Sequence, residues 1–457
     1  MFKRILVVSS VMIGMLFTLA VVFLVGRAAL PGWVGTRPGA PEAVEKRVAA
    51  KLAEVAASGA PVKVTQLARA PIPDGENAAV LYRKAFALLS KDDHFYNDVA
   101  YGRVDLSKPE NAKKAEVALT QSAEARDLIH RAVKMPKCDW QTDWSKGIDA
   151  SHEYTRLRTC SQLLAFESEL RMRHGRTDDA LAACRDNFLL AKSANDPIML
   201  AALMRVSISA TAFHSLTRVL DSGQPSPNLA RSVAAALAKQ DPVAAYAEAI
   251  KGGRASDLSV FDEVRAAPDP MAAISELTGE KHAVPKPTRT ARNKAFIRWM
   301  LASDKNAYLE IMNRHIQASA KPYREVAHEP LFTSNPVDKL PEVPPCVLTR
   351  LLVSSRQGKE QAWRDSVVAK LGLARAALLL KAYRAEHGSY PETLESLGKL
   401  EGKPLPSDPF TGKPFVYHRQ GAGFLLYSWG EDLKDDDGGS DPSSKLDNGD
   451  IVVKVTR

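Results

Sequence analysis

The residues best suited to chemistry lie in one stretch near the C-terminus. From Glu431 to Asp450 there are eight carboxylates against two lysines, Lys434 and Lys445. Asp432, Asp435, Asp436, Asp437, Asp441, Asp447 and Asp450 would repel one another if a loop gathered them without a counter-ion. The stretch is also glycine-rich. Calcium takes six to eight oxygen ligands, carboxylates mixed with backbone carbonyls, in flexible geometry. The loop is therefore a candidate calcium site, with a solvated, metal-free acidic turn as the alternative.

Elsewhere the chemistry is sparse. The chain has no H-E-x-x-H, G-x-S-x-G, G-x-x-x-x-G-K-[ST] or G-x-G-x-x-G pattern. His152-Glu153 opens like a zinc motif but lacks the second histidine, and His94, His130, His214 and His315 are scattered. No catalytic or cofactor-binding residue is assigned, and the expectation is a non-enzyme. The net charge of +9 is spread over 457 residues with no run of five basic residues, which argues against nucleic acid as a partner. Cys138, Cys160, Cys184 and Cys346 allow three disulfide pairings, between which the sequence does not choose. Small buried thiols with at most one bridge are expected.

The elements that must position the acidic loop follow from hydrophobic pattern. Ile5 to Gly26 is an uncharged run of twenty-two residues, long enough to cross a bilayer and longer than a signal-peptide core. Lys3 and Arg4 ahead of it place the N-terminus in the cytoplasm and the bulk of the chain outside. The expected organisation is a transmembrane anchor (1–30), a Gly/Pro-rich tether (31–41), an all-helical domain of irregular α-hairpins (42–329), a proline-rich linker (330–345) and a C-terminal α+β module (346–457). Within the helical domain, Ser107 is expected to cap a helix running to about Met135, and Gly175 to end one running from Asp149 to Arg173. Proline-led starts predict helices near 197–221, 227–239, 242–264 and 270–278, and two more are expected near 288–301 and 304–319. Trp140 and Trp144 read as loop residues packed on the helical core. A helix over Gln361 to Glu386 presents Val367, Leu371, Ala374, Leu378 and Ala382 on one face. Strands are expected at Phe415 to Tyr417, Gly423 to Trp429 and Ile451 to Val455.

These C-terminal fragments stand in a recognisable order. Ala382-Tyr383, Gly388, Tyr390-Pro391, Leu405-Pro406, Asp408-Pro409, Gly412, Pro414, Tyr417, Tyr427-Ser428, Gly430, Asp432 and Asp450-Ile451 together resemble the C-terminal part of the type II secretion major pseudopilin, over residues 361–453. The layout of the whole chain is similar to uncharacterised bacterial membrane-anchored proteins that join a helical region to such a tail. The resemblance implies a long helix packed on a small antiparallel sheet. It also implies calcium in the loop before the last strand, with Asp432, Asp450, Asp447 and Ser428 as ligands. At the N-terminus the chain departs from that family: Gly14 lies inside the apolar run and no glutamate follows it there.

The expected protein is a single-pass inner-membrane protein exposed to the periplasm, a scaffold for protein partners. An accessory part of a secretion or pilus-like machine is the first alternative, and an envelope hydrolase the second.

Overall fold

The computed structural model describes residues 40–89, 94–144, 151–278, 291–329, 338, 340, 346–353, 357–401, 405–439 and 449–456. The expected anchor, nearly all of the tether, most of the linker, and Asp441 and Asp447 lie outside these residues.

The described chain is mainly helical. In order the helices are α1 (Ala40–Ala57), α2 (Ala78–Leu88), α3 (His94–Ala100), α4 (Pro109–Gln121), α5 (Ala123–Ala132), α6 (Ser151–Arg173), α7 (Thr177–Leu190), α8 (Met199–Ser222) and α9 (Pro227–Leu237). There follow α10 (Pro242–Ala266), α11 (Pro270–Thr278), α12 (Ala291–Ala318), α13 (Tyr323–Val326), α14 (Val347–Leu352), α15 (Gln357–His387) and α16 (Glu395–Glu401). Three strands close the chain: β1 (Val416–Gln420), β2 (Gly423–Ser428) and β3 (Ile451–Val455). They form one antiparallel sheet in the order β1-β2-β3, with Val416 opposite Tyr427 and Ser428 opposite Ile451.

Several local expectations are corrected. The helix expected from Ser107 to Met135 breaks at Ser122, whose hydroxyl donates back to the Leu119 carbonyl at 3.1 Å and competes with the helical ladder. Ser107 does not cap it; its hydroxyl donates to Asp105 Oδ1 at 2.6 Å. Asp196 accepts from the hydroxyls of Thr142 and Tyr154, and α8 starts later, at Met199. The two helices expected between 288 and 319 are the single helix α12. Asp304, read as the start of the second, instead accepts the backbone N–H groups of Leu348 and Thr349 at the start of α14. Asp241 and Asp269 do cap, through Ala244 N and through Met271 N and Ala272 N. All four cysteines are free thiols.

The chain packs as two compact units, and their limits differ from the expected ones. Among the described residues, the smaller holds those within 1–63, 257–314 and 334–355, and the larger those within 64–256, 315–333 and 356–457. The C-terminal module is not a separate core. In the larger unit Leu181, Phe188, Leu216 and Val233 from the hairpins share one apolar cluster with Leu373, Leu380, Phe424 and Val453. α15 carries the expected stripe, but Ala376, Ala377 and Leu380 are buried too, so the helix is covered on several sides. The sheet comes close enough that a Cβ at Gly372 would lie 2.6 Å from the Phe415 ring.

A second cluster in this unit gathers Tyr82, Phe86, Ile129, Leu163 and Phe166 around Trp140 and Trp144, which are 2% and 5% exposed. The indole N–H of Trp140 donates to the Ser193 carbonyl at 2.6 Å, so the tryptophan loop is a core element, as expected. α8 is long and apolar enough to cross a membrane. Here it packs on α6, α7 and α15, which accounts for its apolar composition. Gly252 on α10 permits another close approach: a Cβ there would lie 1.8 Å from the Pro197 carbonyl oxygen.

In the smaller unit, Val44 of α1 packs with Trp299 and Ala302 of α12. Glu45 accepts from Arg265 and Arg298, and Lys51 donates to Asn306 and Glu310.

Candidate cation site

The acidic loop leaves β2 and returns at β3. Its entry is fixed by a residue that sequence reasoning did not single out as a site residue, Asp408. This aspartate, 2% exposed, accepts the Ser428 hydroxyl at 2.7 Å and the backbone N–H of Phe410 at 3.0 Å on Oδ1. Its Oδ2 accepts Trp429 N–H at 3.4 Å. Ser428 is fully buried and spends its proton on this bond. Gly430 then adopts φ +77°, and a Cβ there would lie 2.3 Å from the Gly449 carbonyl oxygen. The loop can close at this point because the residue is glycine.

Past this point the carboxylates bind their own backbone. Asp432 Oδ1 accepts Lys434 N–H at 3.1 Å, a local turn. Asp435 Oδ1 accepts the Tyr427 hydroxyl at 3.0 Å and Asp437 N–H at 3.1 Å. Burial and this neighbouring carboxylate hold the Tyr427 phenol protonated to unusually high pH. Asp450 is the innermost group, 5% exposed. Its Oδ2 accepts Gly438 N–H at 2.7 Å and Asp436 N–H at 3.2 Å. Its Oδ1 is buried with no hydrogen-bond partner among the described residues. Burial pushes the Asp450 carboxyl up to about 6, against the two N–H bonds that lower it and with help from the charges of Asp435 and Asp436.

Of the residues expected to hold calcium, Asp450 is the one whose buried carboxylate has an oxygen that no described residue bonds. Asp432 is engaged in its own turn, Ser428 donates to Asp408, and Asp447 lies outside the described residues. The carboxylates acting on Asp450 are Asp435 and Asp436, which the sequence grouped with the rest of the run but did not pick. Among the described residues no three His, Cys, Asp or Glu side chains are grouped to hold a metal. A calcium ion here would also draw on backbone carbonyls, as that ion commonly does. The bare Oδ1 fits such a role: an oxygen in that position needs a proton, a water or a cation.

Glu167 and Asp186, two other buried acids of the larger unit, are paired with internal cations. His130 stands between two of them, Nδ1 2.7 Å from Asp186 Oδ2 and Nε2 2.8 Å from Glu167 Oε2. Both ring nitrogens face carboxylate oxygens, so both donate and the ring is an imidazolium. Burial by itself would lower this histidine, but the bonds to Asp186 and Glu167 raise it to about 9. Arg126 and Arg171 also bond Glu167, and Arg185 bonds Asp186 at 2.7 Å. Burial would raise Glu167, yet His130 and Arg126 hold it down at about 2. This cluster is a closed ion network, while Glu153 of the expected zinc-like fragment pairs with Arg83 at 3.1 Å.

No family model, curated protein or solved structure matches this chain.

Proposed function

We propose that the chain is a non-enzymatic, membrane-anchored envelope protein. In this reading the helical region is a scaffold for protein partners, and the C-terminal pilin-like module is stabilised by calcium. The apolar run from Ile5 to Gly26 supports the anchor and a periplasmic location for the rest. The observation that carries the calcium reading is the buried Oδ1 of Asp450, unpartnered among the described residues, inside an acidic loop. Calcium would be held there by Asp450 with backbone carbonyls of the loop, and its charge would offset the mutual repulsion of Asp435, Asp436 and Asp450.

Thermal melting of the full chain in detergent tests this. Millimolar calcium is expected to raise the melting temperature relative to EDTA, because a ligand that binds only the folded state stabilises it. Asp450→Asn is expected to abolish the shift. An unchanged melting temperature in wild type at millimolar calcium overturns the reading.

The secretion-accessory alternative takes support from the same long helix and three-stranded antiparallel sheet. Sequencing the N-terminus of the mature protein separates the two: cleavage after Gly14 favours a pilin-like subunit, and an intact N-terminus favours the anchor.

A further inference from the structure

The smaller unit contains a solvent-open pocket of about 340 Å³ lined by α1, α10 and α12. That is within the range of small-molecule sites, roughly 300–1,000 Å³. Val48, Leu52, Phe261, Leu301 and Ala302 give it apolar walls. Glu45, Asp262, Arg265, Arg298 and Lys305 complete the lining.

The hydrogen-bond inventory of these charged groups is lopsided. Glu45 is largely engaged: Oε1 accepts Arg265 Nη2 at 2.8 Å and Arg298 Nε at 3.4 Å, and Oε2 accepts Arg298 Nη2 at 2.7 Å. Asp262 Oδ1 accepts Lys305 Nζ at 2.7 Å. A guanidinium carries five N–H donors and an ammonium three. Arg265 and Lys305 each make one of these bonds. Arg298 is further drawn to Glu42, at 3.5 Å, so the ion pairs balance in charge. What remains unspent is chiefly donor capacity, next to apolar walls. A ligand that uses both has a hydrocarbon chain and an acceptor-rich anionic head.

We propose that this cavity binds a single-chain anionic amphiphile, of which a medium-chain carboxylate is the simplest form. The chain lies against Phe261 and Leu301, and the head group accepts from Arg265 and Lys305. The inference is independent of the cation site in the larger unit.

The test is quenching of tryptophan fluorescence by bromoundecanoate, using the full chain in lipid nanodiscs. Trp299 shares a packing cluster with Ala302, which lines the cavity, so a bromine inside lies close to that indole. The expected result is saturable quenching that disappears in Trp299→Phe. Ala49 lines the cavity with an exposed side chain, so Ala49→Phe fills the space without disturbing a buried contact and is expected to weaken binding at least about tenfold. Arg265→Ala is expected to weaken it about fivefold, the scale of one exposed ion pair. The matching bromo-alcohol is expected to bind about fivefold more weakly than the carboxylate and to ignore Arg265→Ala. A circular-dichroism melt verifies that Ala49→Phe is folded, with Ala49→Leu as the milder filling variant. Quenching that does not saturate, or that survives cavity filling in a folded variant, reflects partition into lipid and overturns the proposal. Equal binding of alcohol and carboxylate overturns its anionic half.

Discussion

The Glu167–Asp186 pair and Asp450 are buried carboxylates of the larger unit that the protein neutralises differently. Around Glu167 and Asp186 the protein supplies the opposite charge itself, through His130, Arg126, Arg171 and Arg185. At Asp450 the described residues supply two backbone N–H groups on one oxygen and nothing on the other. The titrations diverge as a result: Glu167 is held at about 2 and Asp450 is raised to about 6. A carboxylate depressed by internal cations is a finished structural element. One raised by burial and like charges is open to something from outside, which is why the calcium reading rests on Asp450 and not on the larger ion network.

The largest expected effect breaks the internal network. Glu167→Ala leaves Arg126 a buried cation without its carboxylate and His130 with Asp186 alone, and a loss of about 3–5 kcal/mol is expected in chemical denaturation. A loss below about 1 kcal/mol would mean that the network is solvated and that the contrast with Asp450 is not real. Next is the hinge of the loop. Asp408→Ala strips acceptors from Ser428, Phe410 N–H and Trp429 N–H and is expected to cost about 2–3 kcal/mol, measured the same way. It should also reduce the response to calcium, since the loop entry is no longer fixed.

The sharpest form of the comparison is its pH dependence, because the two carboxylates have opposite signs. Glu167 has a lowered folded value, so its contribution is present above its unfolded value near 4.5 and is lost as pH falls towards about 2. Asp450 has a raised folded value, so the folded state binds its proton more tightly. Its contribution is present below about 3.8 and is lost as pH rises through about 6. His130, also raised, stabilises below about 6.5 and loses that contribution as pH rises through about 9. Denaturation curves across pH for Glu167→Gln, Asp450→Asn and wild type should separate these windows.

The smallest effect is the most diagnostic. In EDTA at neutral pH, Asp450→Asn removes an uncompensated buried charge and is expected to stabilise the chain by roughly 1 kcal/mol. In saturating calcium the same substitution is expected to be the less stable form. If it is destabilising in both media, Asp450 belongs with the internally compensated acids.

Much of the fold was legible because its signals are local. The proline-led starts of α9, α10 and α11, the left-handed turn at Gly175 and the three strands depend on residues within a few positions of one another. The failures share a different cause. Asp196 and Asp304 carry good capping side chains, but each bonds elsewhere in the folded chain, and Ser107 turns back onto Asp105. The partition at 330–345 misled for a similar reason. Proline content marks a loop, whereas Phe424 and Val453 join the core of Leu181 and Val233 only through packing between residues more than 180 positions apart.

The sequence by itself determined that an acidic, glycine-rich loop joins two strands after a long helix with an apolar stripe, because composition and period are properties of neighbours along the chain. It also determined that this loop carries too few basic residues to neutralise itself. Which carboxylate bears the burden was decided by the tertiary structure. Asp450 is buried and half-bonded because Gly438 and Asp436 turn their N–H groups onto Oδ2 while the closure at Gly430 and Gly449 brings the loop ends together. Burial depends on what surrounds a side chain in space, and a run of similar aspartates does not encode that.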